Sequence, residues 1–269
     1  MMFAASKRPR SDDRRVSPVF WVLLAVLGTS SWAVWTGFAG NARFGVFLFV
    51  VSGWVVSLCL HEYGHARTAL RGGDLTIGAK GYLTLNPFRY ANTLLSLILP
   101  VAFVILGGIG LPGGAVFIER HRISGRWKHS LISAAGPLVN LVLAVALLAA
   151  IGAGWLDHAP YLLEGFGVPA IKAGTAFLAL LQITATVLNL IPVPGFDGYG
   201  IIEPWLSLKA RRAMAPIGPF GMLAVFALLW QTSAGDWFWE LSYKVMEWLN
   251  VQPELAAIGY DAFRFWNVG

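Results

Sequence analysis

Cysteine is almost absent from this chain. Cys59 is the only one in 269 residues, so no intrachain disulfide can form and cysteine usage defines no redox compartment. Charge is scarce as well. Asp, Glu, Lys and Arg together make up 13% of the residues while 57% are hydrophobic; a soluble domain carries roughly 25% charged residues. No repeat, no low-complexity tract and no polar stretch long enough for a separate soluble domain breaks the apolar pattern. The net charge of +6 does not indicate nucleic acid as a partner, because the basic residues sit in short segments beside apolar runs, where they act as orientation signals. Cys59 lies inside one of those runs and reads as a small packing residue.

What the chain has in quantity is apolar length. Six stretches, at about 16–36, 44–70, 93–111, 130–156, 170–191 and 214–231, are candidates for helices across a bilayer, since roughly twenty apolar residues cross the hydrocarbon core. The expectation is an all-α polytopic membrane protein. Residues 1–15 form a basic cytosolic tail, and the run after it is too long for a signal-peptide core and lacks a convincing cleavage site. The tail and the loops 67–89, 120–128 and 209–212 hold most of the 20 Lys and Arg residues, whereas 157–169 and 232–269 hold half of the 14 acidic ones. The positive-inside rule puts the first group in the cytosol and the second outside. That assignment requires 93–111 to enter and leave on the same face, and Pro100 with Gly107-Gly108-Ile109-Gly110 allows such a break. The expected architecture is therefore about five spans plus one re-entrant segment. A single membrane-embedded domain covers 16–231, and 232–269 forms interfacial amphipathic helices. Weak alternation over 71–92 predicts a short β-hairpin after the second span, whose edge could accept an added strand.

The chemistry is concentrated in His61-Glu62-Tyr63-Gly64-His65, an H-E-x-x-H sequence inside the second apolar stretch. On a helix His61 and His65 share a face, so two imidazoles can grip one zinc ion with Glu62 beside it. Ionisable groups at membrane depth are costly and mark function by default. A catalytic zinc usually takes three protein ligands. His121, His129 and His158 lie in charged loops and are poor candidates. Asp197 is better: in Asn189-Leu190-Ile191-Pro192-Val193-Pro194-Gly195-Phe196-Asp197-Gly198 the prolines break the helix and the glycines let the chain swing a carboxylate inward. For Asp197 to meet the histidines an even number of crossings must separate them, which again makes one of the intervening apolar segments non-crossing.

These two motifs together resemble the site-2 protease family of intramembrane zinc metallopeptidases, the M50 class. Ser133-Ala134-Ala135-Gly136-Pro137-Leu138-Val139-Asn140 is similar to that family's A-G-P-x-x-N stretch, and Leu85-Asn86-Pro87 to its L-N-P segment. The resemblance covers roughly residues 44–205 and implies a minimal member without PDZ or nucleotide-sensing domains. It implies that His61, His65 and Asp197 bind one Zn2+ and that Glu62 is the general base. It further implies that Asn189 stands near the substrate or the developing oxyanion, with Asn140 as a substrate-binding residue. The implied activity is hydrolysis of a peptide bond in or near the transmembrane segment of a membrane-anchored protein, in the cell membrane, at a site opening to the cytosol. Asn189 and Asn140 also have a simpler reading as hydrogen-bonding groups between helices. Two other functions remain open: a non-proteolytic zinc-binding protein or metal or proton carrier, and a prenyl-protein peptidase type using Glu119 or Glu203 as third ligand.

Overall fold

A computed structural model of the protein describes residues 15–38, 40, 42–90, 101–102, 104–105 and 116–267. The first helix, α1 (Pro18–Thr36), starts where Ser17 Oγ accepts the Val19 N–H at 3.2 Å, with Pro18 at a position where a missing N–H costs nothing. It stops at Gly37, whose φ of 73° closes the last turn through an N–H to the Ala33 carbonyl. Then come α2 (Ala42–Gly72), α3 (Thr76–Ala79), α4 (Arg126–Gly152), α5 (Ala170–Asn189), α6 (Asp197–Ile202), α7 (Leu208–Met214), α8 (Gly218–Gln231), α9 (Ala234–Trp248) and α10 (Pro253–Phe263).

Four helices, α1, α2, α4 and α5, are long and apolar enough to cross a membrane, which makes this a multi-pass membrane protein. A further apolar stretch is bent: Leu208–Ile217 and Phe220–Leu229 meet at 71°, so the last expected span is broken rather than straight. Its α8 portion, 14 residues, reaches only about 21 Å of the roughly 30 Å core. The expected re-entrant segment 93–111 lies outside the described residues, apart from Val101, Ala102, Val104 and Ile105, which are helical. The basic tail lies outside them too, except Arg15.

At the centre is α5, almost entirely buried between α2, α4 and α10. Val46, Phe49, Val50 and Trp54 of α2 meet Ala173, Phe177, Leu178 and Leu181 of α5 and Ala262 and Phe263 of α10 in one cluster. A Cβ at Gly259 would clash with the Ala173 carbonyl, so α10 and α5 touch backbone to backbone. In lipid such close packing replaces the hydrophobic drive that holds soluble helices together. The amphipathic α9 buries Phe238, Ser242 and Met246 and leaves Trp237 and Trp248 exposed. Cys59 is buried among Phe20, Val55, Val56 and Leu85, as its packing role requires.

The expected hairpin is not formed over its described part, residues 71–90. That segment folds as α3 and two 3-10 turns, Tyr82–Thr84 and Pro87–Arg89. Asp74 decides the first step, since its Oδ1 accepts both the N–H and the hydroxyl of Thr76 at 3.0 and 2.6 Å and closes a turn. Gly73, Gly81 and Leu85 all have positive φ, which interrupts an extended strand three times. The alternation that suggested a strand is satisfied differently: Ile77, Tyr82, Leu83 and Tyr90 all turn into one cluster with Ala66 and Ala69 of α2. No edge strand is therefore available at 76–84.

Candidate metal centre

Helix α2 carries His61 and His65 one turn apart, with their Nε2 atoms 3.1 Å from each other. Delivering the third group takes a reversal of the chain. Helix α5 stops at Asn189, and Pro192 and Pro194 prevent its continuation. Gly195 then adopts φ +107°, and Gly198 packs so closely on the Leu190 and Ile191 carbonyls that a Cβ has no room. The chain folds back as α6, whose first residue is Asp197. Its Oδ2 lies 3.3 Å from His61 Nε2 and 3.2 Å from His65 Nε2.

Among the described residues this is the group of His, Cys, Asp or Glu side chains able to hold a metal. Its spacing fits zinc, because ligands about 2.0–2.1 Å from a tetrahedral ion stand about 3.3 Å apart. The ring tautomers fit as well. His65 Nδ1 is 2.6 Å from the Ile132 carbonyl, which can only accept, so Nδ1 carries the hydrogen and Nε2 is left to a metal. His61 Nδ1 is 3.2 Å from Asn140 Oδ1. Two imidazoles and a carboxylate form the nitrogen–oxygen donor set of a catalytic zinc site.

Glu62 is 2% exposed and places Oε1 4.0 Å from His61 Nε2. Glu62 and Val116 line the same cavity. This cavity of about 540 Å³ opens in front of the centre, lined among others by His61, Glu62, His65, Asp197, Asn189 and Tyr199. Val116, Phe117 and Ile118, outside any helix, form one wall, and Arg120, also lining it, pairs with Glu203. The structure thus brings Asn189 to the cavity with the metal group. Asn140 is placed behind His61 and is not among the lining residues. His121 is an exposed loop residue, His129 bonds the Ile123 carbonyl and His158 is exposed. Glu119 and Glu203 are engaged by Arg122 with Lys80 and by Arg120, and neither belongs to the metal group.

Sequence reasoning missed the wall at 116–118. Nothing in Val-Phe-Ile marks it; it is fixed at long range by the buried Asp74, whose Oδ2 accepts the Glu119 N–H at 2.8 Å, and by Lys80, which bonds the Phe117 carbonyl. An unpaired Asp followed by Thr at 76 was the one available sign of a carboxylate with another task. In sequence, Ser133-Ala134-Ala135-Gly136 suggests a close-packing face as much as a motif, and the structure gives Gly136 a more particular use. It stands against both Nε2 atoms, where a Cβ would clash with each ring.

Comparison with known proteins agrees with this centre. The chain is 44% identical over 264 residues to "Putative zinc metalloprotease Rip2" of Mycolicibacterium smegmatis, covering 97% of this chain and 98% of that protein. It is 42% identical over 266 residues to the protein of the same name from Mycobacterium tuberculosis, covering 98% and 99%. "Putative zinc metalloprotease YwhC" of Bacillus subtilis is 30% identical over 200 residues, which is 70% of this chain and 83% of that one. No protein-family model matches the chain, and no solved structure does. With near-full-length relatives named as zinc metalloproteases, and two histidines of a membrane-length helix meeting an aspartate in a group that could hold a metal ion, the chain belongs to the site-2 protease family of zinc metalloproteases.

Proposed function

We propose that this protein is an intramembrane zinc endopeptidase that cuts a membrane-anchored protein in or near its transmembrane segment. The observation that carries the reading is one of position. Three donor atoms 3.1–3.3 Å apart, with a buried glutamate beside them, lie among helices long and apolar enough to span a bilayer. A protease built there meets substrates that live in the membrane.

His61, His65 and Asp197 would hold the zinc, which when bound would acidify a water to a pKa of about 7 and polarise the scissile carbonyl. Glu62 accepts the proton of the attacking water and returns it to the leaving amine. The Asn189 side chain, facing the same cavity, donates a hydrogen bond to the carbonyl oxygen as charge develops there. The cavity wall at 116–118, rather than the expected hairpin, offers the surface along which an unwound substrate segment lies. The basic loops around this end of α2, with acidic loops elsewhere, support a site that opens to the cytosol from the cell membrane. Residues 16–231 are the catalytic membrane domain, and α9 contributes an interfacial face.

A carrier would need ionisable groups at successive depths. Among the described residues the buried charged or titratable groups His61, Glu62 and His65, and Asp74 just beyond the helix, gather at one end of α2, which favours the enzyme. Glu62→Gln tests the proposal. Co-expressed with a membrane-anchored reporter, it should stop cleavage while the purified protein keeps one zinc per chain; unchanged processing would overturn the enzyme reading.

A further inference from the structure

Helix α4 donates no metal ligand, yet three of its positions face the centre. Ile132, Gly136 and Asn140 recur every four residues and so share one stripe on the helix. Ile132 meets His65 through its carbonyl and Asn140 meets His61 through its side chain. Gly136, between them, stands against both Nε2 atoms. Asn140 is buried at 4% exposure and makes its contact from the second layer, away from the cavity.

We infer that Asn140 is a positioning residue of the zinc centre: by accepting the His61 Nδ1–H it fixes the tautomer that leaves Nε2 free for the metal, while the missing side chain at Gly136 keeps the ion's place open. This rests on the zinc-protease reading of the same site. The two histidines differ in how firmly they are set. His65 faces a backbone carbonyl that cannot donate, so its tautomer is forced. His61 faces an amide with both an acceptor and a donor end. Only the Oδ1 end puts the hydrogen on Nδ1; the flipped amide would put it on Nε2 and remove a ligand. Asn140 is thus the adjustable half of a pair of supports that orient both rings. The reading gives a physical reason for Gly136 and Asn140 standing four apart: one provides room and the other aim.

The test is zinc affinity of the detergent-purified full chain, measured by competition with a chromogenic chelator, for wild type, Asn140→Asp, Asn140→Ala and Asn140→Leu. Aspartate is an obligate acceptor at neutral pH and should hold zinc within about threefold of wild type or more tightly. Alanine and leucine should weaken it ~10–100-fold, the usual effect of removing an outer partner of a metal histidine. A packing role predicts the reverse order, because leucine fills the space and a buried carboxylate is costly. Leucine or alanine binding zinc as well as aspartate does would overturn the inference. Gly136→Ala adds an independent arm, with zinc expected to fall below one-tenth per chain at unchanged helix content; full zinc loading would count against it. A wild type that binds no zinc would instead sink the functional reading. An Asn140→Ala form that loads normally but does not cleave would leave that reading standing and make Asn140 a substrate contact.

Discussion

The two halves of α2 do opposite work. From Val46 to Trp54 the helix presents apolar side chains to α5 and α10, and Arg43 at its start pairs with Asp261 at 2.9 Å. From His61 to His65 the same helix, equally buried, presents two imidazoles to α4 and α6 and Glu62 to the cavity. The anchoring half is stabilised by contact with its neighbours. The other half holds groups whose burial costs free energy unless a partner or a metal compensates. One rigid rod therefore couples a stable end to a reactive one. Changes at the two ends should separate function from stability.

The largest separation should come at the reactive end. Glu62→Gln should lower cleavage of a membrane reporter by ~10²–10⁴-fold, the usual contribution of a general base. Its thermal midpoint in detergent should not fall, because a neutral amide replaces a buried carboxylate. A marked loss of midpoint would mean that Glu62 is a structural group and would blur the comparison. Phe49→Ala should do the converse at the other end. Phe49 packs against Gly174 and the α10 cluster, and its removal should cost about 3 kcal/mol, the low end for a buried phenylalanine. Whatever protein remains folded should still bind one zinc per chain, measured by metal analysis after removal of aggregates.

Arg43→Gln should cost less, about 0.2–1 kcal/mol, because the Arg43–Asp261 pair is partly exposed and screened. The measurement is the midpoint difference at low and high salt, which should shrink as salt rises. Smallest is the effect of pH on the Glu119 cluster. Arg122, bonded to Glu119, holds its carboxyl down to about 2, with Lys80 assisting. A lowered carboxylate contributes stability above its ordinary value near 4.5 and loses it as pH falls toward 2. The midpoint difference between wild type and Glu119→Gln should thus be present at pH 6 and fade through that window. A difference that grows on acidification would contradict the assignment.

The sequence made the reactive half legible because its signals are local. H-E-x-x-H needs only helical spacing to put two rings on one face. Asp197 was readable because Pro192, Pro194 and Gly195 announce where α5 must end and turn. The supports were not readable, since they depend on how helices cross. Nothing in Asn140 says that it will meet His61, and Gly136 shows its use only once α4 lies against α2. The hairpin failed for a related reason: alternating apolar residues can also be gathered to one side by positive-φ turns, as Gly73, Gly81 and Leu85 do. Helix α10 carried a sign of its own packing in Ala256, Gly259 and Ala262, small residues three apart that let it approach α5.

The central claim is that side chains from α2 and α6 close around a single ion, and metal content tests it most directly. Zinc should be measured per chain in purified wild type, Asp197→Ala and Glu203→Ala. The account predicts one zinc in wild type and Glu203→Ala and a loss of most of it in Asp197→Ala. Full retention in Asp197→Ala, or loss confined to Glu203→Ala, would contradict it.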